Sequence, residues 1–205
     1  QGCPSGAKLS LENATIPQFQ NNGGRLIAKH RVDRIILQKG SAEEIVALSP
    51  EREMIRFAAR KAIIVAAGAI HSPFLLWRSG IENPHIGKHL QCHLKIGSVA
   101  LLPRLVREME GPPQGIEVTR FESEGIRLAT QLLPPELLLA HTFVLGDRLV
   151  ELLKKSDHLS SWMASIQSDA EGSVVPSLLR NPSSHFDLTR NDLVKLNYAL
   201  IQLAR

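Results

Sequence analysis

Aromatic residues make up only 4% of this 205-residue chain, and it holds just two cysteines, Cys3 and Cys92. Two cysteines build no disulfide framework, so stability has to come from aliphatic packing. Long apolar runs are missing. The longest, residues 62–70, contains a glycine and falls well short of the roughly 18 residues a membrane-spanning helix needs. A dominant charge is missing too: 24 Lys+Arg against 20 Asp+Glu leave +4. The basic residues are scattered, so nucleic-acid binding has no compositional support. Neither Gly-x-Gly-x-x-Gly, which cradles a pyrophosphate, nor the Gly-x-Ser-x-Gly nucleophile elbow occurs anywhere. What is present is ordinary for a folded protein. With 43% hydrophobic and 21% charged residues, disordered, collagen-like and fibrous classes are excluded. The length suits one good-sized core or two small ones.

The chain reads as α+β. Residues 7–22 predict a helix with Pro17 near its middle, stopped by Asn21-Asn22-Gly23-Gly24. Residues 25–29, 32–38, 44–48 and 54–58 then read as short strands of an antiparallel meander, with turns at Lys39-Gly40 and Ser49-Pro50-Glu51. Residues 61–67 (KAIIVAA) are almost wholly apolar and predict a strand buried on both faces. A tight turn at Gly68 follows, then a helix capped by Ser72, opened by Pro73 and ended at Ser79-Gly80. Residues 81–93 are loop-like. Beyond them, residues 94–102, 115–121 and 126–133 predict strands, and residues 143–155 have helical spacing. Residues 162–168 and 174–180 predict a hairpin closed by the loop 169–173. Thr189, with Asp192 three residues on, caps a final amphipathic helix with apolar positions 193, 194, 196, 200, 201 and 203. A domain boundary is expected near residue 95, with domains given as 1–93 and 94–205.

Two constellations could carry chemistry. At residues 66–69, Ala-Ala-Gly-Ala places four small residues where a strand turns into a helix. A dinucleotide needs that close backbone approach, and the free N–H groups of a helix start favour an anion. Small residues there could equally do no more than let a helix pack on a strand. The second constellation is His85, His89 and His93 at spacing four, with Cys92 beside the last. That pattern would suit zinc on one helical face, but Pro84 and Gly87 interrupt a regular helix. His71, at the predicted helix start, reads as a backbone-bonding residue rather than a general base. Phe74 and Trp77 read as core.

Three stretches, taken in order, carry a resemblance. GCPSGAKLS at 2–10, HRVDRIILQKG at 30–40 and KAIIVAAGAIHSPFLLWRSGIENPHIGKHLQCH at 61–93 resemble the glucose–methanol–choline (GMC) family of flavin oxidoreductases. The strand ending in Ala-Ala-Gly-Ala, the Ser-Pro, the Leu-Leu and the Ser-Gly-Ile follow that family's second signature. Glu82 stands where a final glycine is expected. The Asp169-x-x-Gly172 turn and the stretch from Asp187 to Leu203 look closest to the long-chain alcohol oxidase branch.

The resemblance implies part of an FAD-binding α/β domain made of a β-meander, a buried strand and a helix, followed by an antiparallel-sheet substrate domain. It implies FAD as cofactor, contacted by Val32, Ala67, Gly68, Ala69 and Ser72, with the Val32 backbone reading the adenine. It implies an alcohol substrate oxidised at its CH–OH group, and the apolar stretch at 132–153 would suit a hydrophobic or long-chain one. The family's pyrophosphate fingerprint and catalytic histidine have no match here, so no catalytic residue is assigned. The chain is expected to be a central slice of such an enzyme, with no turnover and weak or no FAD binding by itself. Two other classes remain open at this point: a scaffold without flavin, and a metal module on His85, His89, Cys92 and His93.

Overall fold

The computed structural model describes residues 6–107, 115–131, 133, 134, 137, 140, 144–177 and 181–205. It divides into two compact units, Gln1–Ile86 and Gly87–Arg205. Both combine helix with antiparallel sheet, so the α+β class read from the sequence holds.

The first unit opens with a π-helical turn, Leu11–Thr15, that continues as helix α1, Ile16–Asn21. Pro17 lies in the first turn of α1, where a missing N–H costs least. Gly23, at φ 83°, ends the segment where the sequence placed the stop. Residues 25–29, expected as a strand, are not one. Lys29 adopts φ 61°, and this turn releases the chain directly into β1, Arg31–Gln38. Strands β2, Ser41–Leu48, and β3, Met54–Ala58, complete a sheet of order β1-β2-β3. Lys39 and Gly40 both have positive φ between the paired Gln38 and Ser41, as a two-residue hairpin requires. Ile35, Val46 and Ala47 are its buried centre.

Residues 61–67 depart from expectation. They are in no strand, and Ile64 is 89% exposed. Apolar, β-branched composition makes a doubly buried strand only when a partner lies on each side. Among the described residues no strand pairs with this run, the sheet ending at β3. Helix α2, Gly68–Arg78, also starts four residues before the expected Ser72 cap, with Ala67 at its N-cap. Pro73 therefore sits inside the helix and has no N–H for the Ala69 carbonyl. The other end matches the sequence. Gly80 N–H donates to Trp77 O (3.0 Å) and Ile81 N–H to Leu76 O (3.1 Å), with Gly80 at φ 71°, a Schellman ending.

The C-terminal end of α2 is fastened to β1. Arg78 donates to the Asp33 carboxylate and to the Asp33 carbonyl (3.1 Å). Asp33 is the extra residue where the β1–β2 register shifts. Ser79 Oγ accepts the Ile35 N–H at 2.8 Å and donates to Leu75 O at 2.6 Å. Substituting Ser79→Ala would strand the N–H of the buried Ile35, and an unsatisfied buried donor costs about 1–3 kcal/mol. Urea unfolding of the variant is expected to show a loss of that size; an unchanged midpoint would mean the hydroxyl is dispensable.

In the second unit, β4 (Leu94–Leu101), β5 (Glu117–Val118), β6 (Ile126–Thr130) and β7 (Leu159–Ile166) form a sheet of order β4-β7-β6-β5. Strands β8, Ser173–Val175, and β9, Ser183–His185, pair with each other. The expected hairpin across residues 169–173 is therefore corrected, since β7 is already flanked by β4 and β6 and has no free edge for β8. Part of the expected second arm, residues 178–180, lies outside the described residues, as does much of the 132–153 stretch. The described end of that stretch forms helix α3, Asp147–Lys154, whose Leu149 and Leu152 pack with Val99 on Leu159.

Helix α4, Arg190–Leu203, covers the opposite face. Its Leu196, Ala199 and Leu203 meet Leu94, Ile96, Ile126, Leu128, Ala164 and Ile166, and Tyr198 sits edge-on to Phe121 (6.1 Å, 88°). Leu196 and Leu203 were expected on the apolar face. Leu193, Val194, Leu200 and Ile201, also expected there, are exposed, because the face that buries follows Asp192, Leu196, Ala199 and Leu203 at steps of four, three and four.

Asp192 is fully buried and joins the N-cap of α4 to the loop after β7. Its Oδ2 accepts the Thr189 N–H (2.9 Å) and hydroxyl (2.7 Å), while Oδ1 accepts the Asp169 N–H (2.8 Å). Burial opposes its charge, but the bonds from Thr189, Asp169 and Ser168 outweigh it and hold the carboxyl well below the ordinary range. A depressed carboxyl stabilises the fold fully above its unfolded value of about 3.9 and loses that contribution as pH falls below it. Wild type is thus expected to melt above Asp192→Asn at pH 7, with the gap closing as pH drops below about 4. A gap unchanged by acid would show that the charge contributes nothing.

Candidate functional site

The first candidate site is the turn into α2. Gly68 has φ 80°, and the position a Cβ would take there has no atom within 4 Å. The glycine is demanded by backbone conformation and leaves open space against its Cα. Ala66, Ala67, Gly68 and Ala69 are all exposed, and no acidic residue stands in the first turn of α2. The free N–H groups of the helix start therefore face solvent with no carboxylate competing for an incoming anion. Ser72 and His71 lie within the helix, half-buried and exposed respectively.

Val32 is 39% exposed in β1, next to the bulge at Asp33. The Asp33–Arg78 and Ile35–Ser79 bonds put this part of β1 at the C-terminal end of α2. At 1.5 Å per residue, the 11 residues of α2 separate it from Gly68 by roughly 15 Å. The structure thus brings Ala67, Gly68, Ala69 and Ser72 together and holds Val32 at the far end of the same helix. Only an elongated ligand touches both. β1 is an edge strand, so backbone groups on its outer side need a partner. Asp33 and Ile35 find theirs in Arg78 and Ser79.

A second candidate, not anticipated from the sequence, is a groove of about 660 Å³ on the face of the second unit's sheet opposite α4. Pairing sets Lys95, Ser165 and Arg127 in one row across β4, β7 and β6, and Gly97, Met163 and Ala129 in the next. Arg127 is held by Glu122 (2.7 Å) and Glu117 (3.2 Å). The Glu122 hydrogen bond, with both negative charges, raises its guanidinium above the ordinary value. Strand alternation carried the signal. In LKIGSVAL, IRLAT and MASI the apolar residues at one parity face α4, and Lys95, Arg127, Met163 and Ser165 take the other. Their adjacency depends on strand order, which alternation does not encode.

The histidine set disperses. His89 Nδ1 pairs with Glu171 Oε2 at 2.6 Å, tying the loop beside the Leu90–Gly172 bridge. Cys92 is an exposed free thiol and, with His93, lines the groove. Among the described residues no cluster of three His, Cys, Asp or Glu side chains is placed to hold a metal, so the zinc alternative finds no support. Among them, too, no helix is long and apolar enough to cross a membrane.

An open glycine turn at a helix start after an antiparallel meander, and an antiparallel sheet with a helix on one face, define a mixed α+β protein. Residues 1–95 match the GMC oxidoreductase family. Similarity to curated relatives extends over the whole chain. It is 29% identical over 206 residues to an uncharacterized GMC-type oxidoreductase of Mycobacterium tuberculosis, covering 100% of this chain and 32% of the relative. It is 30% identical over 214 residues to another from Sinorhizobium fredii, covering 99% and 41%. It is 23% identical over 227 residues to a long-chain-alcohol oxidase of Arabidopsis thaliana, covering 100% and 29%. The chain is similar to GMC oxidoreductases along the stretches whose motifs indicated that family, and it spans about a third of the length of the relatives it matches.

Proposed function

We propose that this chain forms part of a flavin-dependent oxidoreductase that oxidises the CH–OH group of an alcohol, with FAD lying along the first unit and the substrate against the second unit's sheet. The observation carrying this is the Gly68 turn: positive φ, open space at Cα, small exposed neighbours and unopposed helix N–H groups. These features fit a dinucleotide approached through backbone rather than side chains. In this reading Val32, at the other end of α2, meets the adenine end, and Ala67, Gly68, Ala69 and Ser72 the phosphate-bearing middle. When bound, FAD supplies the hydride acceptor; the chain's own part is to bind and orient it. The match of residues 1–95 to the GMC oxidoreductase family supports the flavin, and the similarity to an alcohol oxidase supports the alcohol.

The test is fluorescence anisotropy of FAD titrated with the chain. A saturable rise that adenosine diphosphate reverses, and riboflavin does not, is the expected result, because the contacts lie on the dinucleotide half. No rise at any attainable concentration would remove the cofactor assignment.

A further inference from the structure

We propose that Arg78 is a positioning residue for the nucleobase end of the cofactor. By fixing the bulge at Asp33 it holds the Val32 N–H and C=O on the open edge of β1, where they select a 6-aminopurine over a 6-oxopurine. This rests on the flavin reading and adds the residue that sets nucleobase selectivity in it.

The register explains what Val32 offers. Successive residues of a strand direct their N–H and C=O alternately to its two sides. Ile35, opposite Ile45, points away from β2, since its N–H goes to Ser79 Oγ. Arg34, opposite Val46, therefore points towards β2. Val32 stands opposite Ala47, which has the parity of Ile45, so Val32 also points away. In a strand without the extra residue, Asp33 would face Ala47 and Val32 would turn to β2. The bulge thus shifts the alternation by one and brings the Val32 backbone pair outward. Since β1 is an edge strand, no strand lies against that side among the described residues.

Arg78 keeps the extra residue at Asp33. Its Nε donates to the Asp33 carbonyl (3.1 Å) and its Nη2 to the Asp33 carboxylate. One planar guanidinium so fixes the peptide and the side chain of the same residue. If the bulge moved one residue towards Val32, Asp33 would pair with Ala47 and take the outward place. The exposed pair is also too short to accept another strand. The neighbouring outward groups are already bound, the Asp33 carbonyl by Arg78 and the Ile35 N–H by Ser79. One N–H beside one C=O instead matches the Watson–Crick edge of adenine, where N1 accepts and the 6-amino group donates. Hypoxanthine presents N1–H and O6 there, so donor meets donor and acceptor meets acceptor.

The experiment titrates the 15N-labelled full chain with adenosine diphosphate and, separately, inosine diphosphate, read at the Val32 amide. Wild type is expected to hold the adenine nucleotide at least about tenfold tighter, the factor for about 1.4 kcal/mol. Arg78→Gln is expected to bring that ratio close to one while its affinity for inosine diphosphate stays within about twofold of wild type. Arg78→Lys keeps the charge but not the fork, and it is expected to lose selectivity in the same way. Arg60→Gln, the same charge change at an exposed position outside β1–β3 and α2, is expected to keep it. A parallel fall for both nucleotides with the ratio preserved is what a merely structural Arg78 would give, and it overturns the proposal. So does a wild type that holds both nucleotides equally. FAD anisotropy on the same sample separates the two readings. FAD binding with no Arg78-dependent selectivity sinks the Arg78 proposal alone, and such selectivity in a chain that takes up no FAD sinks the flavin assignment alone. A chain that binds neither nucleotide nor FAD overturns both.

Discussion

Ile126→Ala is expected to destabilise the second unit by about 2–5 kcal/mol, the range for removing a large aliphatic side chain from a packed core. Ile126 is 2% exposed at the start of β6 and sits in the cluster of Leu128, Ala164, Ile166 and Ala199. Ala164 and Ala199 have no exposed surface, so α4 lies close on the sheet and cannot settle further to fill the space left behind. The measurement is urea unfolding followed by the fluorescence of Trp162, which lies in β7 beside this core. A loss below about 1 kcal/mol, the level typical of surface substitutions or mild core changes, would mean that α4 does not pack on this face as described.

The second large effect is expected at Gly68. A side chain at φ 80° is strained, by about 1–2 kcal/mol for ordinary residues and more for a β-branched one. Gly68→Val also fills the open surface at this turn where a ligand can reach the backbone. FAD affinity is expected to fall at least about tenfold, equivalent to roughly 1.4 kcal/mol, with the β1–β3 meander unaffected because no atom of it lies within 4 Å of the new Cβ. The control is Ala42→Ser, exposed in β2 and outside the proposed cofactor contacts, which is expected to bind FAD as wild type does. Equal affinity for Gly68→Val and wild type would move the cofactor away from this turn.

Much of the architecture was legible in the residues. Lys39-Gly40 marks its hairpin because few residue pairs tolerate two successive positive φ values, and Ser79-Gly80-Ile81 ends α2 for the same reason at Gly80. Thr189 and Asp192 announce α4 through a capping box that the structure reproduces bond for bond. The failures have a common physical origin in partners that are not local. The run at 61–67 has the composition of a doubly buried strand, but burial is set by neighbours, and none pairs with it among the described residues. The 169–173 loop looks like a hairpin, yet both edges of β7 are taken. Leu193 and Val194 look like core, but the phase of α4 is fixed by Asp192, which the Thr189 and Asp169 bonds draw inward.

The two candidate sites differ in the same way. Ala67, Gly68, Ala69 and Ser72 are close in sequence, so one motif locates them, and the structure adds that Gly68 has open space at its Cα and that Val32 is held at the other end of α2. The groove draws on four strands, and its row of Lys95, Ser165 and Arg127 spans 71 positions of chain, from 95 to 165, before pairing brings it together.

The most direct test of the central claim is a titration of the labelled chain with FAD, read at individual backbone amides. The expected result is saturable shifts at Ala67, Gly68, Ala69 and Val32, at both ends of α2, with Arg56 in β2's far neighbour strand β3 unmoved. Saturable binding that leaves the Gly68 turn silent, or no binding at all, would contradict it.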